Sequence, residues 1–284
     1  MSQNSSANRE HKSSAFSALF SEPEKILTLY NAVSRNEYPL DASVKITTLE
    51  NVFYNEVYND LSFVIDDKLV VLAEAQSSIN NNMPLRFLFY MSEIYSDCID
   101  GRSIYRKRLI KIPHPEFIVL YNGKEEYPDE SILKLSDAFC ELPEGHKPNG
   151  SLELTVKVLN INKGHNKGIV QKSAELEGYV EIISEIRKNQ DSGLNLKEAI
   201  DKAVKDCIDK GILPDFLKKY GGDVMSMLYK EWDSNEYGEV QREEGVLEGL
   251  FRVAKSMLKK GYKPEDVAEC TELPLEQVRQ LQPQ

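Results

Sequence analysis

Two acids and an amide stand at spacings that a β-hairpin brings together: Asp60, Glu74 and Gln76. The runs Leu61–Ile65 and Leu69–Gln76 are rich in β-branched and apolar residues, and Asp66-Asp67 lies between them as a turn. Facing residues then sum to about 133 or 134, which sets Asp60 opposite Ala73 or Glu74. Glu74 and Gln76 are two apart on one strand, so their side chains leave by the same face. Two carboxylates plus an amide or backbone carbonyl are hard oxygen ligands, suited to Mg²⁺ or Mn²⁺ rather than zinc. A carboxylate in the otherwise apolar run LVVLAEAQ needs a counter-charge, because unpaired buried charge is costly. A metal ion supplies one; a plain buried ion pair between Glu74 and Arg86 is the alternative.

The elements that must hold these residues are legible from period and punctuation. Ser14–Phe20 and Pro23–Val33 read as helices, the second with proline near its first turn and Ile26, Leu27, Tyr30 and Val33 on one face. Val44–Thr48 and Val52–Val57 read as strands. Asn80–Pro84 reads as a loop whose asparagines cap a long helix over Leu85–Ile99. Phe117–Tyr121, stopped by Asn122-Gly123, and Leu152–Ile161 read as further strands. LVVLAEAQ is apolar on both faces up to Glu74, as a buried central strand requires. These elements make an α/β core. Beyond about residue 165 the period becomes helical: Ala174–Lys188, a run from Leu196 capped by Asn195 and stopped by Gly211, Val224–Trp232, and Glu239–Lys260 closed by Gly261. The expected organisation is a disordered leader over 1–13, a first domain over 14–165 and a helical region over 166–284.

Composition bounds the function. The chain has 284 residues, 41% hydrophobic and 29% charged, the profile of a folded globular protein. No apolar run approaches the roughly 20 residues of a membrane span, and Met1–Ser14 lacks the apolar core of a signal peptide. Four widely spaced cysteines read as reduced thiols, which points to the cytoplasm. Four scattered histidines offer no zinc-ligand spacing. The net charge of −11 argues against a binder that relies on overall positive charge, but residues 102–111, RSIYRKRLIK, concentrate Arg102, Arg106, Lys107, Arg108 and Lys111 around Tyr105. Either these cations bind phosphate or they form a solvated basic turn.

The run NDLSFVIDDKLVVLAEAQSSINNNMPLRFLFY, Asn59–Tyr90, resembles the signature of the Rpn family of recombination-promoting nucleases, also called PD-(D/E)xK nuclease family transposases. The resemblance extends upstream through LTLYNAV and TLENVFY. Downstream it takes in PHPEFIVLYNGKEEYP and the closing KKGYKPEDVAECTELPLEQVRQL. It implies a restriction-endonuclease-like (PD-(D/E)xK) core, with a mixed sheet flanked by helices, followed by an α-helical C-terminal region. It also implies divalent-metal cleavage of DNA linked to recombination or transposition. On that resemblance Asp60 and Glu74 hold Mg²⁺ or Mn²⁺, and Gln76 takes the place usually held by a lysine that orients the attacking water. The family often has histidine where this chain has Ala75, and an acid where it has Ser13 and Ser14.

Arg86 and Tyr90, i and i+4 on the following helix, lie on one face of it; the pair either binds the phosphate or braces Glu74 through Arg86, or is an ordinary surface pair. Glu24 and Glu50 are weaker candidates for a third acid. The alternative function is a catalytically degraded DNA-binding or self-associating protein of the same fold. In the tail, Glu265–Glu269 and Leu275–Leu281 read as two short helices around a Thr271-Glu272 turn. Their apolar residues suit packing on the preceding helix, or homo-oligomer formation, better than base reading.

Overall fold

The computed structural model describes residues 14–34, 37–47, 60–147 and 149–281. The expected leader over 1–13, the whole of the expected strand Val52–Val57, and Glu50 lie outside the described residues. The chain divides into two compact units, Met1–Tyr229 and Lys230–Gln284.

The first unit opens with α1 (Ala15–Leu19) and α2 (Pro23–Val33). Ser14 caps α1 and exchanges hydrogen bonds with Ser17 as a capping box. There follow β1 (Val44–Ile46), β2 (Leu61–Ile65), β3 (Leu69–Gln76), α3 (Met83–Cys98) and β4 (His114–Tyr121). Two further strands, β5 (Glu130–Lys134) and β6 (Thr155–Asn160), complete a six-stranded sheet of order β1-β2-β3-β4-β6-β5. β3 pairs antiparallel with β2 and parallel with β4, and β4 pairs parallel with β6, so the sheet is mixed.

Asp66 and Asp67 turn the β2–β3 hairpin with φ of 49° and 52°, and the Lys68 amide donates to the Ile65 carbonyl. Short polar side chains tolerate this left-handed backbone better than others do. The helix α3 begins two residues earlier than its apolar period indicates. Pro84 sits in its first turn, where a missing N–H costs nothing, and no asparagine side chain caps it. Asn82 holds the cap position, and its amide donates to Asn80 Oδ1.

Alternation sorts the core into two faces. On one, Val70, Leu72, Val119, Tyr121, Val156 and Val158 meet Met83, Phe87, Tyr90, Met91 and Ile94 of α3. Phe87 and Phe117 stack with ring centroids 5.4 Å apart. Burying one such ring contributes about 1.5–3 kcal/mol. On the other face α2 brings the Tyr30 ring within 6.4 Å of Phe63.

After β6 the unit is helical: α4 (Lys167–Val170), α5 (Ala174–Asp191), α6 (Leu196–Asp209), and the first part of α7 (Pro214–Lys259). Asn195 caps α6 by accepting from the Glu198 amide, and Gly211, at φ of 72°, follows its end. The two separate runs expected over 224–260 are one continuous helix of 46 residues. No proline interrupts it between Pro214 and Lys259, and its glycines cost only about 1 kcal/mol each.

In the second unit the C-terminal part of α7 is followed by α8 (Pro264–Thr271) and α9 (Leu275–Gln280). Ala254, Val267, Leu273 and Val278 are buried together, with Leu250, Leu258 and Leu281 against them. These apolar residues of the tail are therefore used inside their own unit, while Val253 and Tyr262 stay exposed. No helix among the described residues is long and apolar enough to cross a membrane. All four cysteines are free thiols.

Candidate active site

The register of the hairpin decides which acids meet. Leu61 faces Ala73, so the next position outward sets Asp60 beside Glu74, the second of the two pairings that the spacing allows. Two residues beyond the last β2–β3 pair, Asp60 Oδ2 accepts a hydrogen bond of 2.9 Å from the Ala75 amide. The carboxylate there satisfies a main-chain donor past the end of the β2–β3 ladder. Burial pushes the Asp60 carboxyl above its usual range, against the Ala75 amide, the Ser14 hydroxyl and the Arg86 guanidinium.

Glu74 is only 4% exposed. Its side chain leaves β3 on the α3 face, and α3 supplies its partners. Arg86 Nη2 lies 3.3 Å from Oε2 and 3.4 Å from Oε1. Gln76 Nε2 donates to Oε2 at 3.2 Å. Burial nevertheless raises Glu74 to about 7; Arg86 opposes that rise and the neighbouring Asp60 adds to it.

Arg86 and Tyr90 are not a surface pair. Arg86 donates to the Tyr90 hydroxyl from Nη2 at 2.9 Å and from Nε at 3.2 Å, and from Nη1 to Met83 Sδ at 3.3 Å. Burial lowers the Arg86 pKa, but the charge of Glu74 and the contact with Tyr90 more than offset it, so the guanidinium stays charged. Burial and the charge of Glu74 push Tyr90 up to about 12, so its hydroxyl keeps its proton.

Gln76 Nε2 also meets Met83 Sδ, at 2.7 Å. With the amide nitrogen engaged by Glu74 and Met83, Oε1 is the Gln76 atom left to accept a hydrogen bond from a bound water. Asp60, Glu74, Gln76, Arg86 and Tyr90 thus form one cluster at the carboxyl end of β3. Ser14 and Met83 belong to it without having been expected. The Ser14-x-x-Ser17 spacing announces a helix cap, but nothing in it places that cap against an acid on a hairpin 46 residues away.

The donors suit a hard divalent cation: burial raises the pKa of two adjacent carboxyls, and a bound cation would draw each back toward its ordinary value. Among the described residues no group of three or more His, Cys, Asp or Glu stands together as a cation cage. Glu24 is exposed in the first turn of α2.

Arg102, Arg106, Lys107 and Arg108 do not join the cluster. All four are exposed in the loop that enters β4 at His114, which pairs with Leu69 at the start of β3. Glu74 lies five residues further along that strand, about 17 Å at the strand rise. The expected basic patch and the acids are therefore at opposite ends of the sheet.

Comparisons with protein-family models, with curated proteins and with solved structures gave no match.

Proposed function

We propose that the protein is a divalent-metal-dependent DNA endonuclease of the PD-(D/E)xK kind, with a restriction-endonuclease-like core and a site at Asp60, Glu74 and Gln76. The reading rests on one observation above others: the hairpin register sets Asp60 beside the buried Glu74, with Gln76 on the same strand face. It draws further support from the resemblance of Asn59–Tyr90 to the Rpn family signature.

Asp60 and Glu74 would hold Mg²⁺ or Mn²⁺. Such an ion, when bound, polarises the scissile phosphate and lowers the pKa of a nearby water. The residues of the chain do the positioning. Gln76 Oε1 accepts a hydrogen bond from the attacking water and orients it, while Nε2 fixes the Glu74 carboxylate. Arg86, held by Tyr90, keeps Glu74 in place and offsets part of its charge. A glutamine carries no charge, so more of the electrostatic work falls to the cation than in relatives with lysine.

A second reading is a DNA-binding protein of the same ancestry with a lapsed site. The Glu74–Arg86 pair favours it, because that pair already supplies the counter-charge a buried glutamate needs.

Incubating purified protein with supercoiled plasmid, with Mg²⁺ or Mn²⁺ and with chelator, separates the two. The nuclease reading expects nicking that requires the cation and falls to buffer background in Asp60→Ala and Glu74→Ala. Cleavage that survives chelation, or either substitution, removes the assignment; no cleavage by the wild type under any cation favours the lapsed site.

A further inference from the structure

We infer that the loop between α3 and β4 is a docking surface for single-stranded nucleic acid, with Tyr105 as a stacking platform among phosphate-binding cations. The inference rests on the nuclease reading for its choice of ligand, and it narrows the substrate to nucleic acid with an unpaired segment.

Charge is the first ground. In a chain of net charge −11, residues 102–111 carry five cations and no acid. Among the described residues none of the five forms an ion pair, although acids are plentiful elsewhere on the surface. An exposed patch of one sign left uncompensated attracts a polyanion and gains from counterion release.

The second ground is the exposed apolar surface interleaved with that charge. Tyr105 is 86% exposed, Leu109 77% and Ile104 57%. A tyrosine ring so far out of the protein has no packing role. Flanked by Arg106 and Lys107, it presents a face to which a base can stack while the neighbouring phosphates are neutralised. A duplex keeps its base faces covered. The ring is therefore matched to an unpaired base.

Order is the third. Ser103–Tyr105 form a 3₁₀ turn. The Ser103 amide donates to the Asp100 carbonyl at 2.7 Å, and Arg106 closes the turn onto the Ser103 carbonyl at 3.0 Å. The Tyr95 hydroxyl, from α3, donates to the Pro113 carbonyl at 2.7 Å and ties the base of the loop to that helix. A preorganised platform loses less entropy on binding than a floppy basic tail.

An anionic lipid surface is the competing partner. Such a plane would meet the exposed Asp97 and Asp100, which precede the loop, along with the loop itself, whereas a single strand can follow the loop alone. Screening over about 8–10 Å leaves those acids within range of a plane lying against the loop. The placement also fits a strand that runs on toward the carboxylates, since His114, where the loop enters β4, pairs with Leu69, about 17 Å along β3 from Glu74.

The test uses the full chain in chelator, so that no cleavage occurs, and fluorescence anisotropy with a labelled oligothymidylate of about 16 nucleotides and a duplex of equal length. Tyr105→Ala should weaken single-strand binding about tenfold while Tyr105→Phe keeps it and duplex binding is unchanged. Replacing Arg106 and Lys107 together by Ala should lower the slope of log affinity against log salt by about 1.4. Equal affinities for wild type and Tyr105→Ala overturn the inference, as does capture by phosphatidylserine vesicles without oligonucleotide binding. If the oligonucleotide results hold but no cation yields cleavage, the nuclease reading fails and the docking surface stands. Cleavage by a protein indifferent to Tyr105→Ala gives the reverse.

Discussion

At the carboxyl end of β3, Glu74 is buried and touched by Arg86, Gln76 and Tyr90, whereas the five cations before β4 stand in water with no carboxylate partner among the described residues. Both regions are charged, and both flank the same pair of strands. They differ in solvation. The buried Glu74 and Glu185 each have a specific cationic neighbour, because an unmatched buried charge would cost several kcal/mol. Outside, water screens the repulsion among like charges and nothing forces a partner on them. A matched interior charge identifies a place where geometry has been fixed; an unmatched exterior cluster identifies a place where a ligand completes the balance.

Removing one cation from each end tests this contrast most severely. Arg86→Leu should destabilise the protein by about 3 kcal/mol at pH 8, because Glu74 loses its counter-charge. Arg106→Leu should fall within about 0.5 kcal/mol of the wild type, as solvated surface changes do. Urea unfolding of the two variants measures both. Equal losses would erase the distinction between the two ends.

A comparable effect comes from pH alone. The Glu74 carboxyl has a raised value in the folded protein, about 7 against an ordinary 4.5, so the folded state holds its proton across that window while the unfolded chain has lost it. The sign follows: this group takes stability away as pH rises from about 4.5 through 7, with no further change above. Without added cation the loss is on the order of 3 kcal/mol. Glu74→Gln should flatten that part of the stability–pH curve, and a curve unaffected by the substitution would place the buried charge elsewhere.

Gln76 gives a smaller effect and sharpens the roles within the cluster. Gln76→Ala should lower cleavage by about 10- to 100-fold, in the range seen when a group that orients ligands is lost, while Gln76→Lys retains or raises activity. Metal affinity in Gln76→Ala as poor as in Glu74→Ala would make glutamine a direct ligand instead.

Much of this end of the sheet is legible in the amino-acid sequence. The hairpin announces itself because LVVLAEAQ is apolar on both faces and Asp66-Asp67 suits a left-handed turn, and that spacing narrows the partner of Asp60 to Ala73 or Glu74, between which the register decides. Arg86 is visible as a candidate partner of Glu74. Its contact with the Tyr90 hydroxyl depends on α3 turning that face inward, which an i, i+4 spacing alone does not decide.

Other features carry no local signal. β5 packs through Leu133, with Ile132 exposed on its outer side, so its pattern lacks the apolar alternation of a half-buried strand. Its place at the sheet edge comes from pairing with β6. The opposite placement of the basic loop and the acids is likewise invisible in a run of residues. It appears only once β3 and β4 are known to be parallel, which puts His114 beside Leu69 rather than beside Gln76.

The central claim is that Asp60 and Glu74 form a divalent-cation site. Isothermal titration of Mn²⁺ into the full-length protein at pH 8, where Glu74 is ionised, tests it without depending on any nucleic acid. Binding should be saturable, lost in Asp60→Ala and in Glu74→Ala, and unchanged when Arg106 and Lys107 are replaced by Ala. Wild-type affinity in both acid variants, or no binding by the wild type, would contradict it.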